Sequence, residues 1–279
     1  MIKLGSHVGF NSPDYLLASA KTSIDNGANT MMIYVGAPQN TKRVNVEKYK
    51  LEKFNAEYSA VLKNEDIVVH APYIVNLASP LKGDFAVEFL IEEIKRVDYI
   101  GAKYLVLHPG AYTKFTKELA IETLIENLKK IIAKTKNVVI CLETMSGKGS
   151  EIFSDFATMK YVLDTLNSPR IQLCLDTCHL WDAGYNIKKY AEFKDELNSF
   201  GLLKYVKVIH LNDSLNDINS HKDRHANIDK GFIGLETLAK FVFDKDFDNI
   251  PIILETPWTD QGPIYKEEIQ MLLNYNIKN

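Results

Sequence analysis

Six apolar, β-branched runs in this chain each stop on a side chain that can bind a metal: Ile67–His70, Leu105–His108, Val139–Glu143, Leu173–Asp176, Val206–His210 and Ile252–Glu255. A seventh segment, Met1–His7, comes close to the pattern. Runs with no polar face read as buried parallel strands, so each His, Asp or Glu stands at a strand's carboxyl end. In a closed parallel barrel those ends meet on one face, where active sites are built. So many ligand-type residues on one face imply a metal cluster.

The spacing supports a barrel. From His70 to His108 is 38 residues, then 35 to Glu143, 33 to Asp176, 34 to His210 and 45 to Glu255. The 63 residues between His7 and His70 hold two repeats, with Thr30–Val35 as the second strand. A βα unit needs about 30 residues or more. Eight units therefore fill the 279 residues as a single α/β domain over 1–279, a (β/α)₈ barrel with the metal cluster at its C-terminal face. Helical spacing of apolar residues over Phe85–Ile100, Leu119–Ala133, Asp155–Leu166 and Leu235–Phe243 supplies crossover helices.

The chain is 46% hydrophobic and 25% charged, with no low-complexity tract that would divide it. It has no apolar run long enough to span a membrane and no charged-then-apolar leader, and with three cysteines it reads as a cytoplasmic protein. Cys141 and Cys174 lie inside strand runs and read as core thiols, whereas Cys178 sits between two candidate ligands. A net charge of −3 argues against a general nucleic-acid binder, but bound divalent ions would make the ligand face positive whatever the total.

Two further segments enlarge the donor set. In Asp176-Thr177-Cys178-His179 a strand-end Asp precedes a His by three residues. In Asp223-Arg224-His225 an extended loop is expected to put Asp223 and His225 on one side and Arg224 on the other. Arg224, in a chain rich in Lys, suits bidentate phosphate recognition, the alternative being a surface pair with a nearby acid. A lone strand-end His is usually a hydrogen-bonded core residue. Nine donors together (His70, His108, Glu143, Asp176, His179, His210, Asp223, His225 and Glu255) suffice for three metals. Nitrogen and carboxylate donors suit zinc, manganese or iron.

The segments His70-Ala71-Pro72-Tyr73-Ile74-Val75-Asn76-Leu77-Ala78, Leu173-Cys174-Leu175-Asp176-Thr177-Cys178-His179, Ile209-His210-Leu211-Asn212-Asp213-Ser214 and Asp223-Arg224-His225 are long, ordered motifs. Through them the chain resembles, over its whole length, the endonuclease IV family of apurinic/apyrimidinic endonucleases. The resemblance implies a TIM barrel with three Zn²⁺ ions that cleaves duplex DNA 5′ to an abasic site, leaving a 3′-hydroxyl and a 5′-deoxyribose phosphate. It also implies a monomer. His70 and His108 would hold one zinc, with Glu143 bridging it to a second that Asp176, His210 and Glu255 complete. His179, Asp223 and His225 would hold the third.

Phosphodiester hydrolysis needs a nucleophile, charge neutralisation at phosphorus and a stabilised leaving oxygen. Closely spaced cations with a bridging hydroxide supply all three. Glu143 is then the candidate catalytic residue, touching both metals and able to help take a proton. By the same resemblance, loops after the early strands enter the minor groove, where bulky side chains fill the space of the missing base. Tyr73 and Ile74 are candidates, with Gln39, Asn40 and Arg43 of the turn-rich Gly36–Arg43 loop. His7 is expected as a supporting or phosphate contact, and His221 as a loop residue without a metal role. Leu215 and Asp229 depart from the family's usual Lys and Gly, which puts local loop geometry in question. A sugar isomerase or epimerase on the same barrel would need only one or two metals, leaving the Asp176–His179 and Asp223–His225 pairs without a job. A non-catalytic damage-binding protein is the remaining alternative.

Overall fold

The computed structural model describes residues 1–81 and 83–276; the expected domain over 1–279 also takes in residues 82 and 277–279, which lie outside them. Barrel strands are β1 (Lys3–His7), β2 (Thr30–Ile33), β3 (Ile67–His70), β4 (Tyr104–Leu107), β5 (Val139–Glu143), β6 (Ile171–Asp176), β7 (Val206–His210) and β10 (Pro251–Leu254). They close in the order β1-β10-β7-β6-β5-β4-β3-β2, each neighbouring pair parallel. A short antiparallel pair, β8 (Asp213–Ser214) with β9 (His225–Ala226), lies after β7. The closed parallel sheet is the architecture expected from the strand-end pattern.

The strands form because both faces have apolar partners. Met32, Val68, Val106, Cys141, Cys174, Val208 and Ile253 fill the barrel axis, while their neighbours Ile67, Val69, Leu105, Ile140, Leu142 and Leu173 pack toward the helices. The helices between strands are α1 (Leu16–Asp25), α2 (Leu51–Glu57), α3 (Gly83–Ile100), α4 (Lys117–Lys134), α5 (Phe156–Leu166), α6 (Thr177–Asp182), α7 (Tyr190–Ser199) and α8 (Leu235–Phe243), and α9 (Tyr265–Leu273) follows the last strand. Side-chain caps set their starts: Thr116 Oγ1 accepts from Leu119 N at 3.2 Å, and Asp155 Oδ1 from Thr158 N at 2.7 Å. Sequence spacing places α3, α4, α5 and α8 within two residues of these bounds. It overextends β2, which ends at Ile33 although Val35 is still buried.

Candidate metal centre

The Asp-x-x-His spacing has a local cause. Asp176 ends β6 and caps α6, its Oδ1 accepting from the His179 backbone N at 2.7 Å. The cap fixes the first helical turn, and the turn swings the His179 ring back over the barrel mouth. One carboxylate thereby ends a strand, starts a helix and places a second donor.

Around it the donors form three overlapping groups: His70, Glu143 and His210; Glu143, Asp176, His210 and Glu255; and Asp176, His179 and His225. Within each, one donor atom per residue lies within 4.8 Å of the others. Glu143 is the hub. Its Oε2 lies 3.1 Å from both His70 Nε2 and His108 Nε2, and its Oε1 lies 3.1 Å from His210 Nδ1. His210 Nδ1 is also 2.9 Å from Glu255 Oε2. Asp223 joins through Oδ1, 3.0 Å from His179 Nε2 and 3.7 Å from His225 Nε2. All nine candidate ligands therefore converge on one pit, at or just beyond the strand ends.

The donor chemistry fits metal ions. A carbonyl oxygen only accepts, so three rings must donate through Nδ1: His70 to Ala71 O at 2.6 Å, His179 to Thr144 O at 2.7 Å and His225 to Glu255 O at 3.3 Å. In the neutral ring, each Nε2 is left with a lone pair. For His70 and His179 that lone pair meets a carboxylate oxygen, an arrangement that repels unless a proton or a cation lies between. His225 Nε2 is buried and has no hydrogen-bond partner. Electrostatics agree. Burial opposes ionisation of Glu143, but His210 and His108 outweigh it and hold the carboxyl well below its ordinary range. Burial opposes charge on His179, yet Asp176 and Asp223 raise it well above the usual imidazole value. Asp223, despite burial, is held at about 2 by His179. A pit that draws positive charge in this way suits metal ions, whose binding would compete with protons for the same donors.

Several residues support the donors without being donors, and motif spacing alone does not single them out. Asn212 Nδ2 donates to Asp176 Oδ2 at 2.8 Å, while its Oδ1 accepts from Glu255 N at 2.9 Å. Thr144 Oγ1 accepts from Asp176 N at 2.9 Å. Asp182 Oδ2 accepts from Asp223 N at 2.8 Å, and its Oδ1 accepts from Ser214 Oγ at 2.7 Å. Such outer contacts orient ligands and tune their basicity.

The loop carrying Asp223 differs from the extended one expected. Asp223 has φ +53°, a left-handed residue, and only from His225 does the chain run as strand. Asp223 and His225 still face one another, because the turn, rather than strand alternation, brings them together. Arg224 is exposed and forms no ion pair among the described residues, so the surface-pair alternative has no partner. Asp229 takes φ +66°, the region that explains a usual glycine and that Asp tolerates. Leu215 is exposed, its backbone N bonded to Arg224 O at 2.9 Å. His221 donates Nδ1 to Ser146 O at 2.8 Å and lies outside the donor groups.

The rim candidates separate. Tyr73 and Ile74 stand 55% and 45% exposed in the loop that follows His70, and Gln39 is exposed. Asn40 is used by its own turn, with Oδ1 accepting from Lys42 N at 2.9 Å. Arg43 corrects the expectation of a free DNA contact: its side chain is 5% exposed, with Nε 2.9 Å from both oxygens of buried Glu93. It also donates to Asn40 O at 3.1 Å and Lys42 O at 2.8 Å, so it pins the loop from below. Gly36 must be glycine here, since a Cβ would stand 2.6 Å from that guanidinium. His7 meets Tyr34 edge-on at 5.3 Å, on the wall of a cavity of about 410 Å³ that Gln39, Tyr265 and the 71% exposed Trp258 also line. Trp258 lies in the loop after β10 and carries no strand or helix signal in the sequence.

Comparison with known proteins follows the same lines. The family described as xylose isomerase-like TIM barrel matches residues 21–275. A probable endonuclease 4 of Mycoplasmopsis synoviae is 64% identical over 98% of this chain and 99% of its own length. Its counterpart in Mycoplasmopsis agalactiae is 60% identical over the whole of both chains. Among solved structures, endonuclease IV from Thermus thermophilus superposes with a TM-score of 0.84 at 25% identity, covering 97% of this chain and 98% of that one.

Proposed function

This chain belongs to the endonuclease IV family, and on that premise we propose that it is a zinc-dependent AP endonuclease. It hydrolyses the phosphodiester bond 5′ to an abasic site in duplex DNA, leaving a 3′-hydroxyl and a 5′-deoxyribose phosphate. The observation that carries the reading is the third donor group, Asp176, His179 and His225 with Asp223 beside it. A one- or two-metal sugar isomerase on the same barrel has no use for it. In this reading His70, His108 and Glu143 hold one zinc, Glu143, Asp176, His210 and Glu255 a second, and His179, Asp223 and His225 a third.

When bound, the ions supply Lewis acidity and a water-derived nucleophile at neutral pH. The chain's own residues do the rest. Glu143, buried at the hub of the donors, would help take a proton from the attacking water. The exposed Arg224 fork grips a phosphate of the backbone. Tyr73 and Ile74 fill the gap of the missing base, and the lesion, being least costly to unstack, is selected without reading sequence. His7 and Gln39 line the adjoining cavity and contact the nucleotides beside the lesion. The protein acts as a cytoplasmic monomer, one barrel domain over 1–279; no described helix is long and apolar enough to cross a membrane.

The test is a nicking assay on a duplex carrying one abasic site, with bound zinc measured in parallel. Incision confined to the lesion with about three zinc equivalents supports the reading, as expected for a site built from this many donors. Metal-loaded protein that epimerises sugars, or binds the lesion without cutting it, would overturn it.

A further inference from the structure

Helix α9 lies on the outside of the barrel, packed against α8 and β1, and none of its residues is among the donors. Yet Glu268, near its middle, is fully buried. Its Oε1 accepts from Ile228 N at 2.9 Å and Asn227 Nδ2 at 3.0 Å, and its Oε2 accepts from Thr256 Oγ1 at 2.5 Å. Asn227 Nδ2 also reaches Pro257 O at 3.0 Å. The partners are telling. Asn227 and Ile228 follow the donor His225 directly after β9, and Thr256 is the residue after the donor Glu255. His225 Nδ1 in turn bonds to Glu255 O. One carboxylate therefore joins the two segments that carry the donors His225 and Glu255.

Their other supports are unequal. Glu255 follows barrel strand β10 and has its backbone N tied to Asn212 at 2.9 Å. His225 begins a strand of two residues, paired among the described residues only with Asp213–Ser214. We propose that Glu268 is a positioning residue for the third metal: it clasps the His225 loop to the end of β10 and so presents the His225 ring to the ion. The inference rests on reading the pit as a multi-metal centre and goes beyond it, since it assigns a role to a residue that touches neither metal nor DNA.

The experiment uses zinc-loaded full-length protein dialysed against a mild chelator, with metal counted by native mass spectrometry and fold followed by circular dichroism. Glu268→Ala is expected to weaken the third ion by about 10–100-fold, the usual cost of losing an outer partner, and so to lose one equivalent under conditions where the parent keeps all. Glu268→Gln is expected to restore retention. Its amide oxygen still accepts from Asn227 and Ile228, while the Thr256 hydroxyl turns to accept from the amide NH₂. Should the alanine variant fail to fold, Thr256→Val combined with Asn227→Ala opens the same clasp and is expected to show the same loss. A folded variant that retains every ion overturns the assignment, and so does a glutamine variant that loses metal as readily as alanine. Parent protein that holds its zinc but leaves abasic DNA intact would sink the proposed activity and leave this inference standing.

Discussion

The pit and the rim of this barrel mouth are a few residues apart in sequence and opposite in construction. His70 is buried, its Nδ1 committed to Ala71 O, whereas Tyr73 and Ile74, three and four residues on, stand about half exposed. Asp223 and His225 are held by Asp182 and Glu255, whereas Arg224 between them is exposed and unpaired among the described residues. Donors proposed to meet an ion at fixed distance are held in place by the chain itself. Side chains proposed to meet a duplex keep their freedom, because the duplex would supply the missing contacts. On the proposed function, precision is concentrated where ligand geometry would be unforgiving, and adaptability where the substrate would be large and variable.

The sharpest way to break that comparison is Glu143→Gln. An amide is a poor bridge and cannot offset cations, so incision should fall by more than about a hundredfold, beyond the roughly 10–100-fold that outer partners of ligands usually cost. Affinity for abasic DNA should fall much less. Equal losses in single-turnover rate and in Kd would mean that pit and rim are not separable. Next in size, His225→Ala should lower bound zinc from about three equivalents to about two with the circular dichroism spectrum unchanged, and incision should drop steeply because the remaining ions cannot neutralise both sides of the reaction. A variant that kept all its metal and activity would remove this loop from the pit. Smallest is Arg224→Lys, which keeps the charge and loses the planar fork. Binding should weaken by about 1–3 kcal/mol, alike across flanking sequences, with the rate at saturating DNA little changed. Titrations on duplexes of different sequence would show whether the loss depends on context, which a backbone contact forbids.

How much of this could be read from the sequence follows from the range of each interaction. Strand-end donors were legible because a buried parallel strand leaves a run such as Val139–Leu142, and a polar residue closing it has one place to go. Asp176 and His179 were legible as a pair, since a cap and its first turn are local. Arg43 was not. A cationic residue in a turn-rich loop looks free until Glu93, 50 positions along on α3, is brought beneath it by two crossovers. The left-handed turn at Asp223 escaped for a similar reason, because it depends on the buried carboxylate of Asp182. Glu268 sits on an amphipathic helix like any other, and nothing local tells a clasp from a solvated acid.

The donors of the pit stand at the ends of β3, β5, β6 and β7, just after β4 and β10, on α6, and at and just before β9, so they span positions 70 to 255 of the chain. A chain translated in order therefore owns His70 long before it owns Glu255, and a fragment stopped between them lacks a donor of the shared second group and the carbonyl that orients His225. Cutting DNA is hazardous in a half-made protein. Here the reactive centre is assembled by barrel closure itself, so completeness of the polypeptide becomes the licence for its chemistry.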